Sequence, residues 1–228
     1  MLSKTIKHVL PDASFKLLSS GRTDAKVSSL DGIFELFLDH EPVQDLDVFL
    51  LLFNRNLPPD IRATEIKTTT KDFNIIKDSK AKEYVYLFSF GEKNHPFCAP
   101  FLYNVIEYLD IDLMKEVATG FTGTFDFSAY TARLKPNTQV TRIVDLCEIQ
   151  ENDLINGSFF PEVSYKLVVR GKGFMRYQIR MMMGALIQVG KGELSKQDIL
   201  NSLDSDKRIT LTTVAPGSGL ILNEVKFD

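Results

Sequence analysis

Residues 163–189 read VSYKLVVRGKGFMRYQIRMMMGALIQV, and the change of period inside this stretch decides the fold class. From Val163 to Arg170 apolar and polar residues alternate, as in a strand with one buried face. Gly171 and Gly173 then break the pattern. From about Phe174 to Val189 the apolar residues Met175, Ile179, Met181, Met182, Met183, Leu186 and Ile187 fall at helical spacing, which predicts a long and largely buried helix. The methionine run reads as core packing. Arg176 and Arg180, four apart, are expected on one face at the edge of that helix, with Gly184 continuing the row where something approaches closely.

The same reading extends in both directions. Residues 140–150 (VTRIVDLCEIQ) and 84–90 (YVYLFSF) are expected strands, and 112–119 and 196–203 short helices. Leu220 to Phe227 is a last strand. Toward the N-terminus, residues 1–10 resemble the last turns of a helix closed by Pro11, and Ser14 to Ser20 is a strand followed by a turn at Gly21-Arg22-Thr23-Asp24. In 31–38, Phe34, Leu36 and Leu38 alternate with Glu35 and Phe37, which predicts a half-buried strand. Leu46, Phe49, Leu50 and Phe53 predict a helix over 43–54, with Pro58 and Pro59 beyond its end, and Ile61 to Lys67 another strand. The polar stretch Thr68 to Lys82 is the expected linker between two halves, 1–74 and 75–228. Strand pairs mixed with single helices point to an α+β protein.

A chain of 228 residues, 44% hydrophobic and 25% charged, can bury a core as one large or two small domains. Its net charge of −3 argues against a uniformly basic nucleic-acid binder, but the sum hides a local field. Lys166, Arg170, Lys172, Arg176, Arg180 and Lys191 fall between Tyr165 and Lys191 with no acid among them, a segment of +6. Such a run suits a polyanionic partner; it is also what a solvated helix face shows. Cys98 and Cys147 are far apart and read as free thiols in a reducing compartment. His8, His40 and His95 form no ligand pattern with them, so no metal is expected. No apolar run has the length of a membrane span, and Met1-Leu2-Ser3-Lys4 opens no signal peptide, so the expected location is cytoplasmic.

Three features carry chemistry, each weak alone. Asp24 ends the turn after a strand, where it is a candidate functional acid or a plain turn residue. A buried arginine on the long helix requires a partner, commonly a carboxylate, in a structural or a functional pair. Tyr84 and Tyr86 face the same side of their strand, as core or surface tyrosines also do.

Taken together, GRTDA (21–25), NLPPDIRA (56–63), KAKEYVY (80–86), FTGTFDFSAY (121–130), TRIV (141–144), GFMRYQIRMMMGALIQVGKG (173–192) and APGSGLILNEVKF (215–227) resemble the TruA-type tRNA pseudouridine synthase family. They occur in the family's order across almost the whole chain, which makes the set specific where each member is not. The resemblance implies a fold of two ferredoxin-like (split βαβ) halves forming a mixed, mainly antiparallel sheet with helices on one face. It implies isomerisation of uridine to pseudouridine in tRNA without a cofactor, at the anticodon stem-loop around positions 38–40, by a homodimer. It assigns Asp24 as the catalytic aspartate, Tyr84 as the ring against the target uracil, Arg180 as the aspartate's partner, and Arg22 as a contact to the flipped-out target region. The +6 segment, including Lys172 and Arg176, is then expected to meet tRNA phosphates.

Two departures stand out. The family's GRTDAGVHA is GRTDAKVSS here, so Lys26 replaces a glycine, and Ser28 and Ser29 replace His and Ala. Lys26 is a candidate phosphate contact or a solvent-facing side chain. The chain also begins inside what resembles the family's first helix, with the family's first strand missing, so the expectation is either a shortened gene start or a fold that compensates, for example by pairing across a dimer. The competing reading is a non-catalytic tRNA-binding paralogue with an altered active-site loop.

Overall fold

The computed structural model describes residues 1–39, 41–132, 134, 137–207 and 209–227; His40 is thus outside the described residues. The elements run α1 (Leu2–Val9), β1 (Phe15–Ser19), β2 (Ser28–Ser29), β3 (Phe34–Leu38), α2 (Leu46–Asn56) and β4 (Ala81–Phe90). Then follow β5 (Tyr103–Val105), α3 (Ile111–Thr119), β6 (Gly123–Asp126), β7 (Thr141–Val144) and β8 (Leu146–Glu151). The chain closes with β9 (Tyr165–Gly171), α4 (Gln178–Gly190), α5 (Lys196–Ser202) and β10 (Leu220–Lys226). The class is α+β, as expected. No helix among the described residues is long and apolar enough to cross a membrane.

The chain groups into two compact units, Met1–Gly21 with Ile33–Asp78, and Arg22–Gly32 with Ser79–Asp228. The segment carrying Asp24 therefore groups with the second unit, whereas the halves read from the sequence, 1–74 and 75–228, put it in the first.

In the first unit β1 and β3 form an antiparallel pair, with Leu17 opposite Leu36. Asp45 caps α2 by accepting the Val48 N–H at 2.9 Å, and Phe49 and Phe53 are its buried residues. Phe34 and Leu36 pack with them and with Ile6 of α1. Three expectations need correction. The two faces of β3 are not split into buried and exposed, because Glu35, on the opposite face from Phe34, is only 7% exposed and its carboxylate accepts the Ile75 N–H at 3.3 Å. The stretch expected as a linker is thus folded: Ile75 is 1% exposed, Asn74 Oδ1 accepts the N–H groups of Ile76 and Lys77, and Asp78 accepts that of Asn74. Residues 61–67 are not a strand. The Asn54 side-chain amide takes both backbone groups of Ala63 at 2.8 Å, replacing a neighbouring strand at that one residue.

The second unit is built on a six-stranded sheet ordered β2-β10-β4-β9-β8, with β5 paired to Phe88–Phe90 at the far end of β4, past the residues that pair with β10. The β2–β10 and β4–β5 pairs are parallel and the rest antiparallel. One face, including Tyr86, Phe88, Leu167 and Val169, packs with α3 and α4 in the main core. The other, including Val85, Leu87, Val168 and Ile221, is covered by Cys98, Leu102, Leu154 and Phe160. Residues 140–150 are two strands rather than one. The alternation runs on through Asp145, but β7 pairs with β6 and β8 with β9, so the change of partner is invisible to periodicity.

The long helix also starts later than expected, at Gln178. Tyr177 has φ 66° and ψ 1°, a left-handed conformation that cannot continue a right-handed helix. The turn before it is closed by the Gln178 N–H to Met175 carbonyl bond (3.1 Å) and by Met175 N–H to Gln178 Oε1 (2.8 Å). Arg176 therefore lies outside α4 and does not share a helix face with Arg180. The methionines are core as expected, with Met182 and Met183 fully buried. Gly184 is where the backbone of residue 213 comes closest, since a Cβ there lies 2.4 Å from the Thr213 carbonyl oxygen. We expect Gly184→Ala to lower unfolding stability by about 1–3 kcal/mol through overpacking, measured by urea denaturation.

Candidate active site

Asp24 and Arg180 are 156 residues apart in sequence, and Arg180 Nη1 donates to Asp24 Oδ2 at 3.0 Å. The pair is sheltered, the arginine side chain 15% and the aspartate 27% exposed. Arg180 is also tied to the segment before β10. Its Nε donates to the Ala215 carbonyl at 2.7 Å, and its own carbonyl accepts the Ala215 N–H at 3.0 Å. Two edges of one guanidinium are thus fixed, which leaves it little freedom to leave the carboxylate.

The turn that presents Asp24 is closed by the Val27 N–H to the Asp24 carbonyl at 3.2 Å. Lys26 occupies its third position with φ 68°, a left-handed angle that suits glycine. Gly21, by contrast, is not among the residues of positive φ. From below, the turn is met by Gly217, where a Cβ falls 2.5 Å from the Ala25 carbonyl. After the turn, Ser28 and Ser29 form β2 and pair with Ile221 and Leu222 of β10.

Tyr84 lies on β4 opposite Leu222, its ring edge-on to Phe174 with centroids 5.5 Å apart. Burial first, and then the negative charge of Asp24, push its phenol above the ordinary value. At neutral pH the hydroxyl is therefore a proton donor close enough to sense Asp24. Tyr86 shares that face, but it is fully buried and its hydroxyl donates to the Pro216 carbonyl at 2.7 Å, a structural role.

The structure separates the other sequence-assigned residues. Of the six charges in the +6 segment, four are ion-paired: Lys166 with Asp153, Arg170 with Glu83, Arg180 with Asp24 and Lys191 with Glu107. The segment is therefore not a continuous basic surface. Lys172 and Arg176 are exposed and have no ion pair among the described residues, as do Arg22 and Lys26. The Arg176 guanidinium instead lies over the Tyr177 ring. The residues that sequence reasoning missed are Ala215 and Pro216, whose carbonyls bind Arg180 and Tyr86, and Gly217, which closely approaches the Asp24 turn. Their one signal is the Ala-Pro-Gly-Ser-Gly run itself, since closely spaced glycines mark close backbone approach. Among the described residues no group of three His, Cys, Asp or Glu side chains is placed to hold a metal ion.

With this geometry in view, the comparisons agree on one family. The sequence pattern described as tRNA pseudouridine synthase matches residues 117–228. The tRNA pseudouridine synthase A of Thermodesulfovibrio yellowstonii is 30% identical over 218 residues, covering 93% of this chain and 83% of the relative. The tRNA pseudouridine synthase A 2 of Bacillus anthracis is 30% identical over 213 residues, covering 93% and 82%. The tRNA pseudouridine synthase A of a Bacillus species is 30% identical over 226 residues, covering 98% and 87%. The chain belongs to the tRNA pseudouridine synthase family, isomerases that convert uridine to pseudouridine.

Left-handed lysine costs about 1–2 kcal/mol, and glycine's extra chain entropy offsets part of the relief. We expect Lys26→Gly to raise unfolding stability by about 0.5–1 kcal/mol, read as a shift of the urea midpoint at unchanged m-value.

Proposed function

We propose that the chain isomerises uridine in tRNA with Asp24 as the catalytic carboxylate. The observation that carries this reading is the sheltered 3.0 Å pair of Asp24 with Arg180, beside a tyrosine whose phenol senses the aspartate. Pseudouridine forms when the C1′–N1 bond breaks, the uracil turns, and C5 bonds to C1′ while its proton leaves. N1 gains a proton, so the reaction balances without a redox partner. An ionised Asp24 serves by attack at C1′, by attack on the ring, or by taking a sugar proton. Arg180, itself fixed by the Ala215 carbonyl, keeps it aimed. Tyr84 supplies an aromatic face for a base taken out of its stack and a hydroxyl near the C5 proton.

The exposed cations Arg22, Lys26, Lys172 and Arg176 are the proposed contacts to tRNA phosphates. By analogy with the family, the target is a uridine of the anticodon stem-loop, around positions 38–40, and the working form a homodimer. The buried free thiols of Cys98 and Cys147 fit a cytoplasmic setting.

Tritium release from tRNA labelled at uridine C5 tests the chemistry. The wild-type protein should release it, and Asp24→Asn should lose activity by at least about a thousandfold while still binding tRNA. No release by the wild type supports the non-catalytic paralogue instead, and equal release by both proteins removes Asp24 from the chemistry. The phosphate contacts are tested by the salt dependence of binding. Lys172→Ala should weaken tRNA affinity and reduce the log–log salt slope by about 1, whereas Lys191→Ala, whose amine is already paired with Glu107, should leave the slope unchanged.

A further inference from the structure

Tyr177 is unusual in both backbone and ring. It is a non-glycine residue in left-handed conformation at the entry to α4, with no side-chain cap bond to the helix. The conformation is held from outside the residue. Gln178, 1% exposed, uses its side-chain oxygen to bind the Met175 N–H, and the Tyr177 carbonyl accepts the Met181 N–H at 2.9 Å. Strained backbone that its surroundings over-determine tends to occur where geometry matters to function.

What the conformation achieves is visible in the ring. Two guanidinium groups lie over it, that of Arg176 with Cζ 4.8 Å from the centroid and that of Arg180 at 4.9 Å. Arg180 already has one donor on Ala215 and another on Asp24, so the ring is a third restraint on the group that holds the proposed catalytic acid. Arg176 gains a second tie, because its Nη2 donates to Tyr177 Oη at 3.1 Å. Its backbone carbonyl also accepts the Thr131 hydroxyl at 3.1 Å. Arg176 is thus an exposed cation with no acid beside it among the described residues, yet its side chain has a defined position. A charge that is held in place and left unneutralised suits an anionic group on the substrate.

We propose that Tyr177 is a positioning residue for the reaction: its ring holds Arg180 against Asp24, and its hydroxyl holds Arg176 ready for a substrate phosphate. This rests on the reading of Asp24 as the catalytic acid. The two halves of the tyrosine have separable effects, since the ring acts on the rate through Arg180 and the hydroxyl acts on binding through Arg176.

The experiment measures the single-turnover rate with saturating protein and C5-tritiated tRNA, and the tRNA Kd by filter binding, for the wild type, Tyr177→Phe and Tyr177→Asn. Asparagine tolerates the left-handed backbone and removes the ring, while phenylalanine keeps the ring and removes the hydroxyl. Tyr177→Phe should keep the rate within about twofold and weaken Kd by about twofold to fivefold. Tyr177→Asn should lower the rate by about tenfold or more, the loss expected when a sheltered cation–π restraint is removed, with a melting temperature showing a folded protein. A folded Tyr177→Asn protein with wild-type rate overturns the proposal. So does Tyr177→Phe losing as much rate as Tyr177→Asn, because the ring is then not what matters. If Tyr177→Asn does not fold, Tyr177→Phe decides: a retained rate with weakened binding supports the assignment, and a lost rate or unchanged binding ends it. Wild-type activity with an inactive Asp24→Asn secures the underlying reading, whereas an active Asp24→Asn removes that reading and leaves the Tyr177 comparison to be judged by its own rates.

Discussion

The placement of one guanidinium organises the second unit. Arg180 is 15% exposed on its side chain, and a charge that sheltered is costly unless its donors are satisfied. The carbonyl of Ala215 and the carboxylate of Asp24 take two of its edges, and the Tyr177 ring lies against it. Each of these partners comes from a different segment: the turn after β1, the approach to β10, and the entry to α4. The arginine is therefore the point where three separate chain segments must agree in position.

Agreement of that kind needs backbones that approach closely, and the glycines are where this happens. At Gly184 the helix meets residue 213, and at Gly217 the segment before β10 meets the carbonyl of Ala25. A side chain at either position would displace Ala215 from Arg180 or the Asp24 turn from its support. The same region stores strain in two non-glycine residues of positive φ, Lys26 next to the acid and Tyr177 next to the arginine's helix. Both are compensated by neighbours: Lys26 by the turn hydrogen bond across it, Tyr177 by the buried Gln178. The sheet beneath is continuous around β4, with one register shift in the β10–β4 pairing between Leu222 and Glu224.

The charge distribution illustrates why a linear count misleads. The +6 segment looked like one surface because its acids are absent from the same stretch of sequence. They come from other strands and loops instead: Glu83 lies opposite Arg170 in the β4–β9 register, and Asp153, Glu107 and Asp24 arrive from elsewhere. What remains is a small set of exposed cations, Lys172 and Arg176 in that segment with Arg22 and Lys26 beside the acid.

Read by itself, the sequence determined the α+β class, the strand at 84–90, the helices read at 112–119 and 196–203, and the buried methionine face, because these depend on local period and composition. Through seven ordered motifs it also indicated the family, and it nominated Asp24, Tyr84 and Arg180. The tertiary structure alone decided that Asp24 and Arg180 are within 3.0 Å, since no local rule links residues 156 positions apart. It likewise decided that 140–150 is two strands, that 61–67 is none, and that Arg176 lies outside the helix. In each case the local pattern was compatible with several partners, and the choice among them was made by hydrogen bonds from distant residues: β6 for β7, Asn54 for Ala63, and Gln178 for the turn that left-handed Tyr177 closes.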